Sequence, residues 1–90
     1  DRLVVARLGS EGAVAALAGE VFIAPGFDVP LVDSVGAGDA FNAGFIAARL
    51  RGSPVEAALR WGNAVAALTI TKSGARSTPP TSEVESLLSL

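Results

Sequence analysis

The stretch Asp33-Ser34-Val35-Gly36-Ala37-Gly38-Asp39 sets two carboxylates around small residues and then runs into an apolar segment. Small residues at the start of a helix let an oxyanion approach bare backbone amides, where the macrodipole adds partial positive charge. The pattern predicts an anion site at Gly36, Ala37 and Gly38. Asp39 falls in the first helical turn beside it. A carboxylate does not bind phosphate, because like charges repel, but it can accept the proton of a hydroxyl attacking phosphorus. That is the division of labour in phosphoryl transfer. An acid in the first turn is also favoured by capping and by the dipole alone, so on these residues a structural reading stands beside the chemical one. A dinucleotide fingerprint would need glycine where Phe41 stands, and a P-loop would need Gly-Lys-Ser/Thr; neither occurs.

The elements that must hold this loop are legible on both sides. Leu3 to Leu8 is short, rich in β-branched residues and bounded by glycine, which reads as a strand. Gly9 to Gly12 is turn chemistry, "AVAALAG" is a weaker strand, and "EVFIAPG" is a third strand stopped at Pro25 and Gly26. "FDVPLVD" reads as extended, because Pro30 disfavours helix in the residue before it. After Gly38 the spacing of Phe41, Phe45, Ile46, Ala48 and Leu50 suits a buried helix ending at Gly52. Ser53, Pro54 and Glu56 spell a capping box for a second helix from about Pro54 to about Thr71. "KSGARSTPPT" reads as a loop, and Ser82 with Glu85 repeats the capping box before a final short helix.

Composition narrows the class. The chain is 50% hydrophobic, much of it alanine, which favours closely packed helices. Its net charge of −2 gives no electrostatic footprint for nucleic acid or an anionic membrane. It has no cysteine and no histidine, hence neither disulfides nor a soft metal site. No apolar run approaches the roughly 20 residues that span a bilayer. The opening lacks a signal-peptide layout, and the chain reads as a piece of a cytosolic (cytoplasmic) protein whose earlier part is absent. Strands come first and helices later, with too few strands to complete a sheet covered on both faces.

"VDSVGAGDAFNAGF" resembles the C-terminal signature of the ribokinase-like (PfkB-type) carbohydrate kinases, Asp-Thr-x-Gly-Ala-Gly-Asp followed by an apolar, small-residue helix. "VVARLGSEGA" is similar to the family's strand and Thr-Leu-Gly-x-x-Gly turn, and "WGNAVAALTITKSGARSTPP" to its Asn-Ala-x-Ala-Ala helix and following loop. The resemblance implies an α/β fold in which residues 1–90 are the C-terminal nucleotide-binding and catalytic part of a three-layer α/β/α sandwich. It implies ATP-dependent phosphorylation of a sugar hydroxyl, with Mg2+, and with no nucleic-acid or membrane partner.

Position by position, Asp39 matches the base that deprotonates the sugar hydroxyl and helps to hold the sugar. Gly36, Ala37 and Gly38 match the anion hole, with Gly38 also meeting the nucleotide. Arg7, Leu8, Gly9, Ser10, Glu11 and Gly12 match the turn that runs along the nucleotide, and Asn63 a position lining the adenine pocket. The other reading of Asn63 is a helix-surface amide. Asp33 matches the side-chain ligand of a monovalent cation, usually potassium. Backbone carbonyls at Val35, Thr69, Lys72 and Gly74 and a side-chain oxygen at Thr78 match its remaining ligands. A large, weakly hydrated cation suits such oxygens and would polarise and order the loop.

Two positions depart from the family pattern. Arg7 replaces a threonine, losing a hydroxyl contact and offering a long cation to phosphate or solvent, and Ser34 replaces threonine but keeps the hydroxyl. Trp61 and Phe27 read as core. The sugar-binding half, the lid through which such kinases can form homodimers, and the motif associated with magnesium are not in these residues. Two alternatives stand beside a sugar kinase: a non-catalytic nucleotide-binding or regulatory module of the same fold, and a kinase for a nucleoside or vitamin precursor. An intact Gly-Ala-Gly-Asp counts against the first.

Overall fold

A computed structural model describes residues 3–27, 36–70 and 81–89, except for the side chains of residues 10 and 70. The first part is an antiparallel meander of β1 (Val4–Arg7), β2 (Gly12–Leu17) and β3 (Glu20–Pro25), in that spatial order. The Gly9-to-Gly12 turn contains one turn of 3-10 helix, Gly9–Glu11. Ala18 and Gly19, with φ of 53° and 82°, make a two-residue connection of the type I′ kind, which matches the twist of the strands it joins.

Pairing fixes which residues share a face. Val5, Ala15 and Phe22 lie in one cross-strand row and Arg7, Ala13 and Ala24 in another, both on the side that the helices cover. The alternate rows, Val4-Ala16-Val21 and Ala6-Val14-Ile23, form the outer face. That face is apolar, and Val4, Val21 and Ile23 are each more than half exposed (54%, 68% and 64%).

Three helices follow: α1 (Ala37–Leu50), α2 (Val55–Ile70) and α3 (Thr81–Leu88). The end of α1 is a Schellman motif, with Gly52 N–H donating to the Arg49 carbonyl (3.0 Å) and Ser53 N–H to the Ala48 carbonyl (3.0 Å). The two capping boxes are displaced from their expected places. The Ala58 N–H bonds to the Pro54 carbonyl at 2.9 Å, which makes Pro54 the capping residue of α2. The Ser53 carbonyl instead accepts from the Arg49 guanidinium at 3.1 Å. α3 already begins at Thr81, so Ser82 lies inside its first turn.

The core forms where α1 and α2 meet the alanines of the sheet. Phe41 and Phe45 stack with ring centroids 6.1 Å apart, and they join Val55, Ala58 and Leu59 against Ala13, Ala15 and Ala24. Burying a side chain such as Phe41 stabilises by about 1.5–3 kcal/mol. Gly62 faces Phe41 and Gly44 faces Val65 and Gly62, so the two helices lie in close contact. Ala64, Val65 and Val84 form a second cluster, to which α3, Phe27 and Trp61 add. Phe27 and Trp61 therefore belong to the packing. The Arg51 guanidinium sits 4.5 Å from the centroid of the half-buried Trp61 ring, a contact worth about 0.5–1 kcal/mol at an exposed site. Among the described residues no helix is long and apolar enough to cross a membrane.

Candidate active site

The Gly-Ala-Gly-Asp stretch does begin a helix, and it does so one step earlier than the apolar spacing suggests. Gly36 caps α1 in the left-handed region (φ 82°, ψ 0°), a conformation that costs glycine nothing. The first intrahelical bond runs from the Ala40 N–H to the Gly36 carbonyl at 2.8 Å. The N–H groups of Ala37, Gly38 and Asp39 precede that ladder and have no carbonyl within the helix to bond. A left-handed residue followed by helical ones turns successive amides towards one concavity, a geometry suited to an anion. Ala37 is buried and anchors the turn. Gly38 is exposed, and among the described residues nothing lies within 4 Å of a Cβ built on it. Asp39 is exposed in the same first turn.

The second predicted stretch, residues 7–12, is tied together by its own backbone. The Leu8 N–H donates to the Gly12 carbonyl at 2.7 Å, and the Glu11 N–H to the Leu8 carbonyl at 3.2 Å. Gly12 has φ 115° and lies so close to the end of β3 that a Cβ would strike the Ala24 carbonyl oxygen and come within 2.7 Å of the Gly26 nitrogen. The Gly26 N–H in turn donates to the Glu11 carbonyl at 3.3 Å. Arg7, Leu8 and Glu11 are exposed beside this turn, Arg7 on the helix-covered side of the sheet at its end.

Asn63 is buried at 6% exposure, which overturns its reading as a helix-surface amide. Its Nδ2 donates to the Ala24 carbonyl at 3.0 Å and to the Pro25 carbonyl at 3.2 Å. Both partners are carbonyl oxygens, so the amide nitrogen, not the oxygen, must face them. The physical reason for its burial is that residues 62–67 of α2 are covered all round, by the sheet, by α1 and by α3. Alanine, glycine and asparagine in that run carry no periodicity from which a buried side could be read.

Thr69 is also buried, and its hydroxyl donates to the Val65 carbonyl at 2.8 Å. Ala40 near the start of α1 and Leu68 beside Thr69 both pack against the cluster of Ala64, Val65 and Val84. Asp33, Val35, Lys72, Gly74 and Thr78 lie outside the described residues, as do Ser34, the "FDVPLVD" segment beyond residue 27 and the "KSGARSTPPT" segment up to residue 80, whose last residue, Thr81, is already helical. A groove of about 420 Å³ between α2 and α3, lined by Leu68, Ser82, Glu83, Ser86 and Leu87, contains none of the predicted site residues. The structure thus joins residues 7–12 to Asn63 through the end of β3, and shows the Thr69 hydroxyl bonded within α2. The carbonyls of Ala24 and Pro25, which make the link to Asn63, had only the strand-stopping Pro25-Gly26 pair as a signal in the sequence.

The sequence matches the profile of the pfkB family carbohydrate kinases over residues 1–82. It is 48% identical over 89 residues to an ATP-dependent ribose-1-phosphate kinase of Halopiger xanaduensis, covering 99% of this chain and 30% of that protein. A putative ribokinase II from E. coli, solved with ATP and Mg2+, superposes with a TM-score of 0.92 at 34% identity, over 98% of this chain and 29% of that one. A double mutant of the fructokinase of Vibrio cholerae, solved with fructose, ADP and potassium ion, superposes at 0.83 and 33% identity, over 96% and 30%. The three strands and three helices are therefore a fragment of the ribokinase fold, an α/β architecture, and the chain spans about 30% of the length of the curated relatives it matches. With its Gly36–Asp39 turn, its Gly9–Gly12 turn and its helices all in that arrangement, the chain belongs to the pfkB family of carbohydrate kinases.

Proposed function

We propose that residues 1–90 are the C-terminal nucleotide-binding and catalytic segment of an ATP-dependent kinase that phosphorylates a hydroxyl of a sugar or sugar-like substrate. The observation that carries this reading is the start of α1: a left-handed Gly36, amides at Ala37 and Gly38 that precede the helical ladder, and an exposed Asp39 in one turn. In the step proposed, the acceptor oxygen forms a bond to the γ-phosphorus of ATP as the bond to the ADP oxygen breaks. Asp39 takes the proton of the acceptor hydroxyl, and the amides of Gly36, Ala37 and Gly38 face the charge on the transferring group. Residues 7–12 lie along the nucleotide, and Asn63 borders its base.

Mg2+ would come with the ATP phosphates, and its protein partners would lie in the part of a kinase that precedes these residues. A monovalent cation held by Asp33, by the carbonyls of Val35, Thr69, Lys72 and Gly74 and by Thr78 would add positive charge beside the anion turn. The described part of that set is Thr69, whose hydroxyl is already used within its helix, in keeping with a carbonyl ligand at this position. The ATP and Mg2+ of the E. coli structure and the potassium of the Vibrio structure support these assignments. The isolated segment, lacking the sugar-binding part, should bind nucleotide weakly and turn over nothing.

The test is transfer of the γ-phosphoryl group of ATP by the full-length protein to a panel of pentoses, hexoses, keto-acids, sugar phosphates and nucleosides. Phosphorylation of a carbohydrate acceptor supports the reading. Nucleotide binding with no transfer to any acceptor overturns it in favour of a non-catalytic module.

A further inference from the structure

The turn at Gly9–Gly12 and the anion turn at Gly36 belong to different segments, and the chain between them passes through the end of β3. Three contacts converge on that end. Asn63 donates both hydrogens of its amide nitrogen to the carbonyls of Ala24 and Pro25, at 3.0 and 3.2 Å. Gly12 leaves no room for a Cβ against Ala24, Pro25 and Gly26. The Gly26 N–H is taken by the Glu11 carbonyl at 3.3 Å. The end of β3 is therefore clamped on one side by α2 and on the other by the Gly9–Gly12 turn.

From this geometry we infer that Asn63 is a positioning residue: it fixes the end of β3, and through Gly26 and Gly12 it sets the turn at residues 9–12 against α2. The inference rests on the proposed kinase reading and deepens it. An amide has two N–H donors and one acceptor oxygen. Here both donors serve the protein's own backbone, so Asn63 has only Oδ1 left to offer a base, as an acceptor. Recognition of a purine by donation from Asn63 is excluded while the clamp holds. The buried donors have a further consequence. Removing them leaves two carbonyls at a buried site without these partners, and an oxygen in their place would face both carbonyls with like partial charge.

The two roles separate kinetically. A clamp acts on the turn at residues 9–12, which any nucleotide meets alike, so its loss lowers kcat/KM for ATP and GTP equally and leaves their ratio unchanged. A base reader acts on nucleotide affinity, so its loss raises KM for ATP and erodes the ATP-over-GTP preference. Asn63→Ala and Asn63→Asp in the full-length protein decide between them. Asn63→Asp keeps an acceptor oxygen but loses the amide donors. The clamp predicts that both variants lose about 10- to 100-fold in kcat/KM with ATP and with GTP alike, the aspartate variant at least as much as the alanine. Wild-type kinetics in Asn63→Asp, or a KM increase with a changed ATP/GTP ratio in either variant, overturns the inference.

Hydrogen exchange supplies a readout that needs neither activity nor a folded variant. In the wild-type protein the side-chain amide hydrogens of Asn63 should exchange slowly, and equally so with and without ATP. Fast exchange of both in the absence of nucleotide overturns the clamp. Should the wild-type protein transfer no phosphoryl group at all, the kinase reading fails, and the clamp is still decided by this exchange measurement.

Discussion

A Cβ placed on Gly62 would lie 2.9 Å from Cδ1 and Cε1 of Phe41 and 3.0 Å from the Phe41 carbonyl oxygen. The backbone of α2 therefore lies directly against the ring and main chain of α1, one half-turn beyond Asp39 on that helix. Gly62 acts by being small. It lets Phe41 reach full burial and thereby sets the rotation of the helix that presents the acid.

Replacing Gly62 by alanine should separate the helices, because the obstacle includes backbone, which cannot swing aside as a flexible side-chain tip can. The expected loss is about 1–3 kcal/mol of stability, more than the gain in helix propensity that alanine brings. Urea titration of the full-length protein measures it. An unchanged midpoint would show that the contact is slack.

Gly38 gives the opposite expectation. Nothing lies within 4 Å of a Cβ built there among the described residues, and its backbone is helical. Gly38→Ala should leave stability unchanged or raise it by up to about 1 kcal/mol, since alanine is the better helix former. Its methyl group would nevertheless crowd a phosphoryl oxygen approaching the amides, so phosphoryl transfer should fall at least about tenfold. Melting temperature and kcat/KM measured on one preparation test both halves. Unaltered transfer would remove Gly38 from the anion hole.

Ala18 has φ 53° in the β2–β3 connection, where an L-residue with a Cβ is disfavoured. Asparagine followed by glycine is the preferred pair for a turn of this type, and Gly19 already supplies the second member. Ala18→Asn should therefore stabilise by about 0.5–1 kcal/mol without touching transfer, as the turn is remote in sequence from every predicted site residue except through the strands it joins. Thermal unfolding reads it out; a lower melting temperature would contradict the turn assignment.

How far the sequence carries the fold differs from element to element. The three strands and α1 and α2 announce themselves through β-branched runs, glycine punctuation and the spacing of Phe41, Phe45 and Ala48. Ile46 and Leu50, read as part of the same buried set, are exposed, because they fall on the side of α1 away from the sheet and α2. Helix starts are less legible, because a capping signature fits two neighbouring registers equally well. At Ser53 and Ser82 the structure takes another register, at Pro54 and before Thr81. Gly36, Ala37, Gly38 and Asp39 are readable as an anion turn with an acid because chemistry at a helix start depends on local residues. Asn63 is not readable in this way. Its burial depends on β3 ending beneath α2, a tertiary coincidence between residues far apart in the chain, and the small residues around it erase the helical stripe that would have pointed inward. The outer face of the sheet shows the same limit: Val4, Val21 and Ile23 look like core residues in sequence, and they are exposed among the described residues.

The most direct test of the account is the single-turnover rate of γ-phosphoryl transfer by the full-length protein carrying Asp39→Asn, at saturating ATP and acceptor. With the carboxylate gone, the acceptor hydroxyl has no base, and the rate should drop by about 10²- to 10⁴-fold. ATP affinity, measured by calorimetry on the same variant, should be little changed. A rate equal to that of the wild-type protein would contradict the assignment of Asp39, and with it the chemistry proposed for the start of α1.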